Sequence, residues 1–287
     1  MSRLPKGSPS PSDSGQSAAP ASPARGGLQS DLASTRPGGT QGQFSRGTDW
    51  AAPEELSESE GPATPHALTR ERLLSGAVER MVRDAGSAVL TDAERQRSLQ
   101  ETLAARPDRC SPVWLFGYGS LIWNPTIHYV ESRTATVRDW QRTFCLSTPA
   151  GRGTPDNPGL VLALDRGGSC TGVAFRIAEE ELFEELSIVW RREMLTGAYV
   201  PHWVALHDST GQVFGNGIAF TINRSGPQYA ALPEDVVIRR LATAKGQLGT
   251  AAEYLFQTQD GLQRLGIHDP LIEHVARAVS EVQEPQQ

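Results

Sequence analysis

The chain has 287 residues, a formal net charge of -6, and 38% hydrophobic residues. That length is enough for a sizeable core, and the acidic balance argues against a nucleic-acid or anionic-membrane binder. Cys110, Cys145 and Cys170 stand far apart with no CxxC pair, which points away from a disulfide framework and toward a reducing compartment.

No apolar stretch approaches the roughly 18 residues of a membrane span. The N-terminus lacks the apolar core of a secretory signal, so a soluble cytoplasmic protein is expected. Residues 1–64 are rich in Ser, Pro, Ala and Gly, with too few large apolar side chains to offset the entropy of ordering. They are expected to form a disordered tail.

Residues 65–110 read as a helical lead-in. Leu74, Val78, Met81 and Val82 lie three to four positions apart, as one helical face requires. Thr91-Asp-Ala-Glu94 has the form of a capping box, with Leu99 and Leu103 on the following turns. Pro107 closes the segment.

Residues 111–284 form the main domain. VWLFG, HYVESRTATV, TFCLST, GLVLALD and CTGVAFRI are short β-rich runs separated by Gly, Pro and Asp signals. A helix is expected at about 179–195, then strands at WVALH and VFGNGIAFTI. Helices return at the C-terminal end, with Thr250 as one cap and Asp269-Pro270 as an N-cap followed by proline at N1. This order predicts an α+β fold with a mostly antiparallel sheet.

Within VWLFGYGSLIW, the stretch Gly117-Tyr118-Gly119-Ser120-Leu121 interrupts a buried-looking run. It is not a dinucleotide fingerprint, because Ile122 stands where a third glycine is needed. Nor does Ser120 have the flanking spacing of a nucleophile elbow. A strand ending in successive exposed N–H groups remains, a nest suited to a carboxylate or an oxyanion. A bulge or tight turn without a ligand fits the same spacing.

Glu193 is the second candidate. Leu182, Leu186, Val189 and Trp190 define one helical face, and Glu193 falls within roughly 20° of Leu182 on that face. Glu180, Glu184, Arg191 and Arg192 point elsewhere. A lone carboxylate on an apolar stripe is costly when charged, and the helix C-terminus adds negative potential. Both raise a carboxyl pKa, as suits a general acid/base. Escape to solvent or pairing with an arginine is the structural alternative.

The remaining candidates read as structural. His202 and His207 lack a third ligand at zinc spacing. Cys145 and Cys170 sit in apolar β runs as core thiols. Trp114, Phe116 and Trp123 read as strand core.

VWLFGYGSLIWNP, RGTPDNPGLVLALDRGG, VWRREMLTGAYVPHW and GTAAEYL together closely resemble the ChaC branch of the γ-glutamylcyclotransferases. The resemblance spans residues 70–282. It implies a γ-glutamylcyclotransferase-like fold, a small mostly antiparallel barrel packed with helices. It implies splitting of glutathione into 5-oxoproline and cysteinylglycine, with no metal and no cofactor. Glu193 would be the acid/base, and Tyr118, Gly119, Ser120 and Leu121 would line the γ-glutamyl site. Arg152, Tyr199 and Tyr254 match further recurring positions and are carried as binding residues. Phe220 is a departure, where some animal relatives carry tyrosine. Two alternatives stay open: another γ-glutamyl substrate, or a non-catalytic regulator of cation transport using the same pocket. A monomer or weak dimer is expected.

Overall fold

A computed structural model of the chain describes residues 68–284; the expected tail at 1–64 lies outside them. The lead-in forms three helices, α1 (Arg70–Leu74), α2 (Ala77–Asp84) and α3 (Asp92–Ala104). Leu73, not Leu74, turns inward: Leu74 is 56% exposed, because the chain breaks after α1 and the helical phase restarts at Gly76. In α2, Val78, Met81 and Val82 are buried as the spacing predicts. The Thr91–Glu94 capping box opens α3.

A closed five-stranded barrel follows, in the order β1 (Trp114–Gly117), β3 (Gly159–Arg176), β2 (Glu131–Thr148), β4 (Tyr199–His207), β5 (Val213–Ile222). Neighbours are antiparallel except where β5 meets β1 and β3 in parallel to close the barrel. The five short runs read from sequence at 113–177 become only three strands. β2 and β3 are each continuous over 18 residues. Asp139, at φ 67°, sits at a register shift between Arg138 and Trp140, so a bulge bends the hairpin where the sequence suggested a turn.

The helix α4 (Leu182–Glu193) lies between β3 and β4, slightly shorter than expected. Leu182, Leu186, Val189 and Trp190 are all buried and pack with Val113, Leu115, Leu121 and Phe220 in one core. Two helices, α5 (Glu234–Thr243) and α6 (Ala251–Arg264), flank a short two-stranded ribbon, β6 (Lys245–Gly246) and β7 (Gly249–Thr250); α7 (Pro270–Gln283) ends the fold. The caps at Thr250 and Asp269 are both formed.

The α+β barrel is therefore as expected. Cys145 and Cys170 are buried. Burial pushes their thiols up to about 12 and about 11, as for inert core cysteines. Among the described residues no helix is long and apolar enough to cross a membrane.

Candidate active site

β1 ends at Gly117, and the chain then turns: Ile122 N–H donates to the Gly119 carbonyl at 2.9 Å and Asn124 N–H to the Ser120 carbonyl at 2.8 Å. Among the described residues, the N–H groups of Gly119, Ser120 and Leu121 have no hydrogen-bond acceptor. The turn is held from behind. Arg142 of β2 donates from Nε to the Tyr118 carbonyl at 2.6 Å and from Nη2 to the Thr171 carbonyl at 2.7 Å. Its Nη1 pairs with Asp269, the N-cap of α7. Arg142 is buried, so its charge needs that partner.

Beside this turn lies a cavity of about 500 Å³. Ser120, Arg152, Glu193, Tyr199 and Tyr254 all line it. Tyr118 and Leu121 turn their side chains into the core, and the Tyr118 hydroxyl donates to the Phe220 carbonyl at 2.6 Å. What Gly119 and Leu121 offer the site is thus backbone, whereas the buried Tyr118 phenol lies close enough to Tyr199 and Glu193 to interact with both. Gly119 has a steric reason to be glycine: a Cβ there would stand 2.8 Å from the Tyr254 hydroxyl.

The two cavity tyrosines converge on the backbone of one residue, Leu162. The Tyr199 hydroxyl donates to the Leu162 carbonyl at 2.9 Å, and Leu162 N–H donates to the Tyr254 hydroxyl at 3.2 Å. Burial, followed by the charge of Glu193, holds Tyr199 well above its usual range. Burial likewise pushes Tyr254 up to about 12, opposed by the Leu162 N–H and reinforced by Glu193. Both stay neutral phenols.

Glu193 is the last residue of α4. Its side chain is 13% exposed, and that surface opens on the cavity. Burial raises its pKa above the ordinary 4.5, while the charge and hydrogen bond of Arg192 oppose the rise. The sequence reading sent Arg192 elsewhere; the structure turns it back. Its Nε lies 2.9 Å from Glu193 Oε1 and its Nη2 donates to Ser120 Oγ at 2.7 Å. The acid and the glycine turn thus share one cation. Adjacency to Glu193 was the only signal in the sequence that could have found it.

Arg152 comes from the loop between β2 and β3. Gly153 and Gly159 let the loop's two arms touch: a Cβ on Gly153 would lie 2.0 Å from Gly159 N. The guanidinium reaches the Thr250 carbonyl at 3.2 Å and Glu253 at 3.4 Å, at the capping box of α6. Trp123, expected in a strand, lies in the turn and on the cavity wall. Its Nε1 donates to Thr258 Oγ1 at 3.1 Å. Phe220 packs on Trp190, ring centroids 5.1 Å apart, and does not reach the cavity.

Outside the cavity, His207 Nδ1 is 3.1 Å from the Thr136 carbonyl, and His202 stacks on Trp140. His128, Glu181 and Glu185 bring ligand atoms within 4.8 Å of one another. Glu185 is committed to Arg70, which donates to it at 2.6 and 2.9 Å.

A small barrel bearing a buried carboxyl of raised pKa beside unpaired backbone donors is equipped for proton transfer and oxyanion binding. The fold is that of the γ-glutamylcyclotransferases. The chain superposes on a glutathione-specific γ-glutamylcyclotransferase from yeast with TM-score 0.56, 20% identity, covering 62% of this chain and 99% of that one. The chain belongs to the ChaC-like protein family, whose model matches residues 113–283. It is 45% identical over 204 residues to a glutathione-specific gamma-glutamylcyclotransferase of Escherichia coli (strain K12), covering 70% of this chain and 87% of the relative. A glutathione-specific gamma-glutamylcyclotransferase 1 of Mus musculus is 32% identical over 174 residues, 58% of this chain and 78% of the relative.

Proposed function

We propose that this chain is a glutathione-specific γ-glutamylcyclotransferase that releases 5-oxoproline and cysteinylglycine, with Glu193 as general acid/base. The observation that carries the reading is the Glu193 carboxyl: raised by burial and facing the cavity beside the Ser120 turn. The names of the relatives support glutathione as the substrate.

The substrate's α-amine reacts as the free base. As its nitrogen bonds to the γ-carbonyl carbon of the same molecule, the Glu193 carboxylate takes a proton from that nitrogen, and the site's further task is to hold that chain folded. The N–H groups of Gly119, Ser120 and Leu121 are free to receive the α-carboxylate or the oxyanion. As the γ-amide C–N bond breaks, Glu193 returns its proton to the departing cysteinyl nitrogen. Arg152 supplies a positive charge for a substrate carboxylate, and Tyr199 and Tyr254 wall the acid with neutral phenols. Residues 111–284 form the catalytic domain, and the lead-in at 65–110 adds α2 as an apolar wall through Val78, Met81 and Val82. Buried unpaired Cys145 and Cys170 fit a cytoplasmic, reducing location.

The test is incubation of the purified full chain with glutathione and detection of 5-oxoproline. Glu193→Gln keeps the shape and removes the titratable group; turnover should fall about 10²–10⁴-fold with the chain still folded. A near-normal rate removes Glu193 from its role. Release of 5-oxoproline from γ-glutamyl-alanine but not from glutathione would move the reading to another γ-glutamyl compound.

A further inference from the structure

Arg192 directs its whole guanidinium inward, and its side chain is 4% exposed. Besides Glu193 and Ser120, it donates from Nη1 to the Asn124 carbonyl at 2.5 Å and to Thr126 Oγ1 at 3.0 Å. Thr126 has φ 58°, a left-handed conformation that is unfavourable for a β-branched residue and persists only where neighbours enforce it. One cation therefore fastens the strained turn after β1 to the carboxylate at the end of α4.

We infer that Arg192 is the positioning residue of this site: it fixes the Glu193 carboxylate against the Ser120–Thr126 turn, and its charge keeps that carboxylate available as a proton acceptor. The inference rests on the reading of Glu193 as acid/base.

The groups facing Glu193 support the electrostatic half. Tyr118 from the turn after β1, Tyr199 from β4 and Tyr254 from α6 are buried phenols held protonated, and each feels the Glu193 charge. Among the described residues, Arg192 is the cation that acts on Glu193. Without it, burial is unopposed and the carboxyl holds its proton to higher pH. Lysine would keep the charge, but a single ammonium lacks the planar fork that spans Ser120, Asn124 and Thr126 at once.

The experiment follows the Glu193 carboxyl by ¹³C NMR titration in glutamate-labelled full-length protein, with Glu193→Gln identifying its resonance. The same samples give kcat against pH on glutathione. In Arg192→Gln the Glu193 midpoint should rise by about 1–3 pH units. The acid limb of kcat should rise with it, so that turnover below the wild-type midpoint falls about 10- to 1000-fold and recovers as the pH is raised. Arg192→Lys should lose kcat through the loosened turn while its midpoint stays near wild type. An unmoved midpoint in Arg192→Gln, or an equal rise in Arg192→Lys, overturns the inference. A raised midpoint in Arg192→Gln alone, in a protein that makes no 5-oxoproline, upholds Arg192 and removes only the functional reading.

Discussion

Gly119→Ala is the most direct probe of how tightly the turn and the α6 tyrosine fit. The φ of Gly119 is not in the left-handed region, so alanine meets no backbone penalty there. Restriction of the unfolded chain even favours alanine by about 0.4–1 kcal/mol. The obstacle is contact: the new methyl would stand 2.8 Å from the Tyr254 hydroxyl, with Leu162 Cβ at 3.7 Å and Cδ1 at 3.8 Å behind it. Tyr254 is buried, and its hydroxyl accepts from Leu162 N–H. To yield, it must release that buried donor, at about 1–3 kcal/mol. A net destabilisation of about 1–2 kcal/mol remains. Urea unfolding with unchanged m-value reads it out. Tyr254→Phe removes the atom that clashes, so Gly119→Ala in that background should cost less than about 0.5 kcal/mol. A double mutant whose two effects simply add, within about 0.5 kcal/mol, would refute the packing argument.

Other expectations concern charge. Burial pushes the Glu185 carboxyl up, and the hydrogen bond and charge of Arg70 outweigh it, so its pKa lies below the ordinary 4.5. A depressed folded pKa stabilises above the unfolded value and loses that stability as pH falls through the folded one. Wild type should therefore exceed Glu185→Gln in urea midpoint at pH 7, with the gap closing as pH drops below about 4.5; a gap constant down to strong acid contradicts the pairing. Arg152→Met removes the charge-assisted contact offered to a substrate carboxylate, worth about 1.5–3 kcal/mol. KM for glutathione should rise roughly 10- to 100-fold with kcat far less affected, and an unchanged KM would take Arg152 out of the binding site.

What the sequence made legible was local. The caps at Thr91, Thr250 and Asp269 depend on residues three positions apart, and all three formed as read. Glu193 stood out because a charge on an apolar stripe is visible in one helical turn. Long-range features stayed hidden. Gly167 and Gly168 look like a turn between two strands, yet they lie in one continuous strand opposite the Asp139 bulge. Closure of the barrel by β5 on β1 joins segments a hundred residues apart, which no local pattern encodes. Arg192 was misplaced because its Cα lies off the stripe while its long side chain reaches back around the helix end. Tyr199 and Tyr254 came from family resemblance alone; their meeting at Leu162 is a product of tertiary packing.

The grip of Arg142 on Tyr118 has a consequence for truncation. The turn is made early in the domain, but the counter-ion of its anchor is Asp269. Every residue lining the cavity, out to Gln257, precedes that position. A chain cut before Asp269 would thus carry a complete cavity wall while its buried arginine had lost its counter-ion. Among the described residues α7 lines none of the cavity, yet through its N-cap Asp269 it neutralises the arginine that holds the turn after β1.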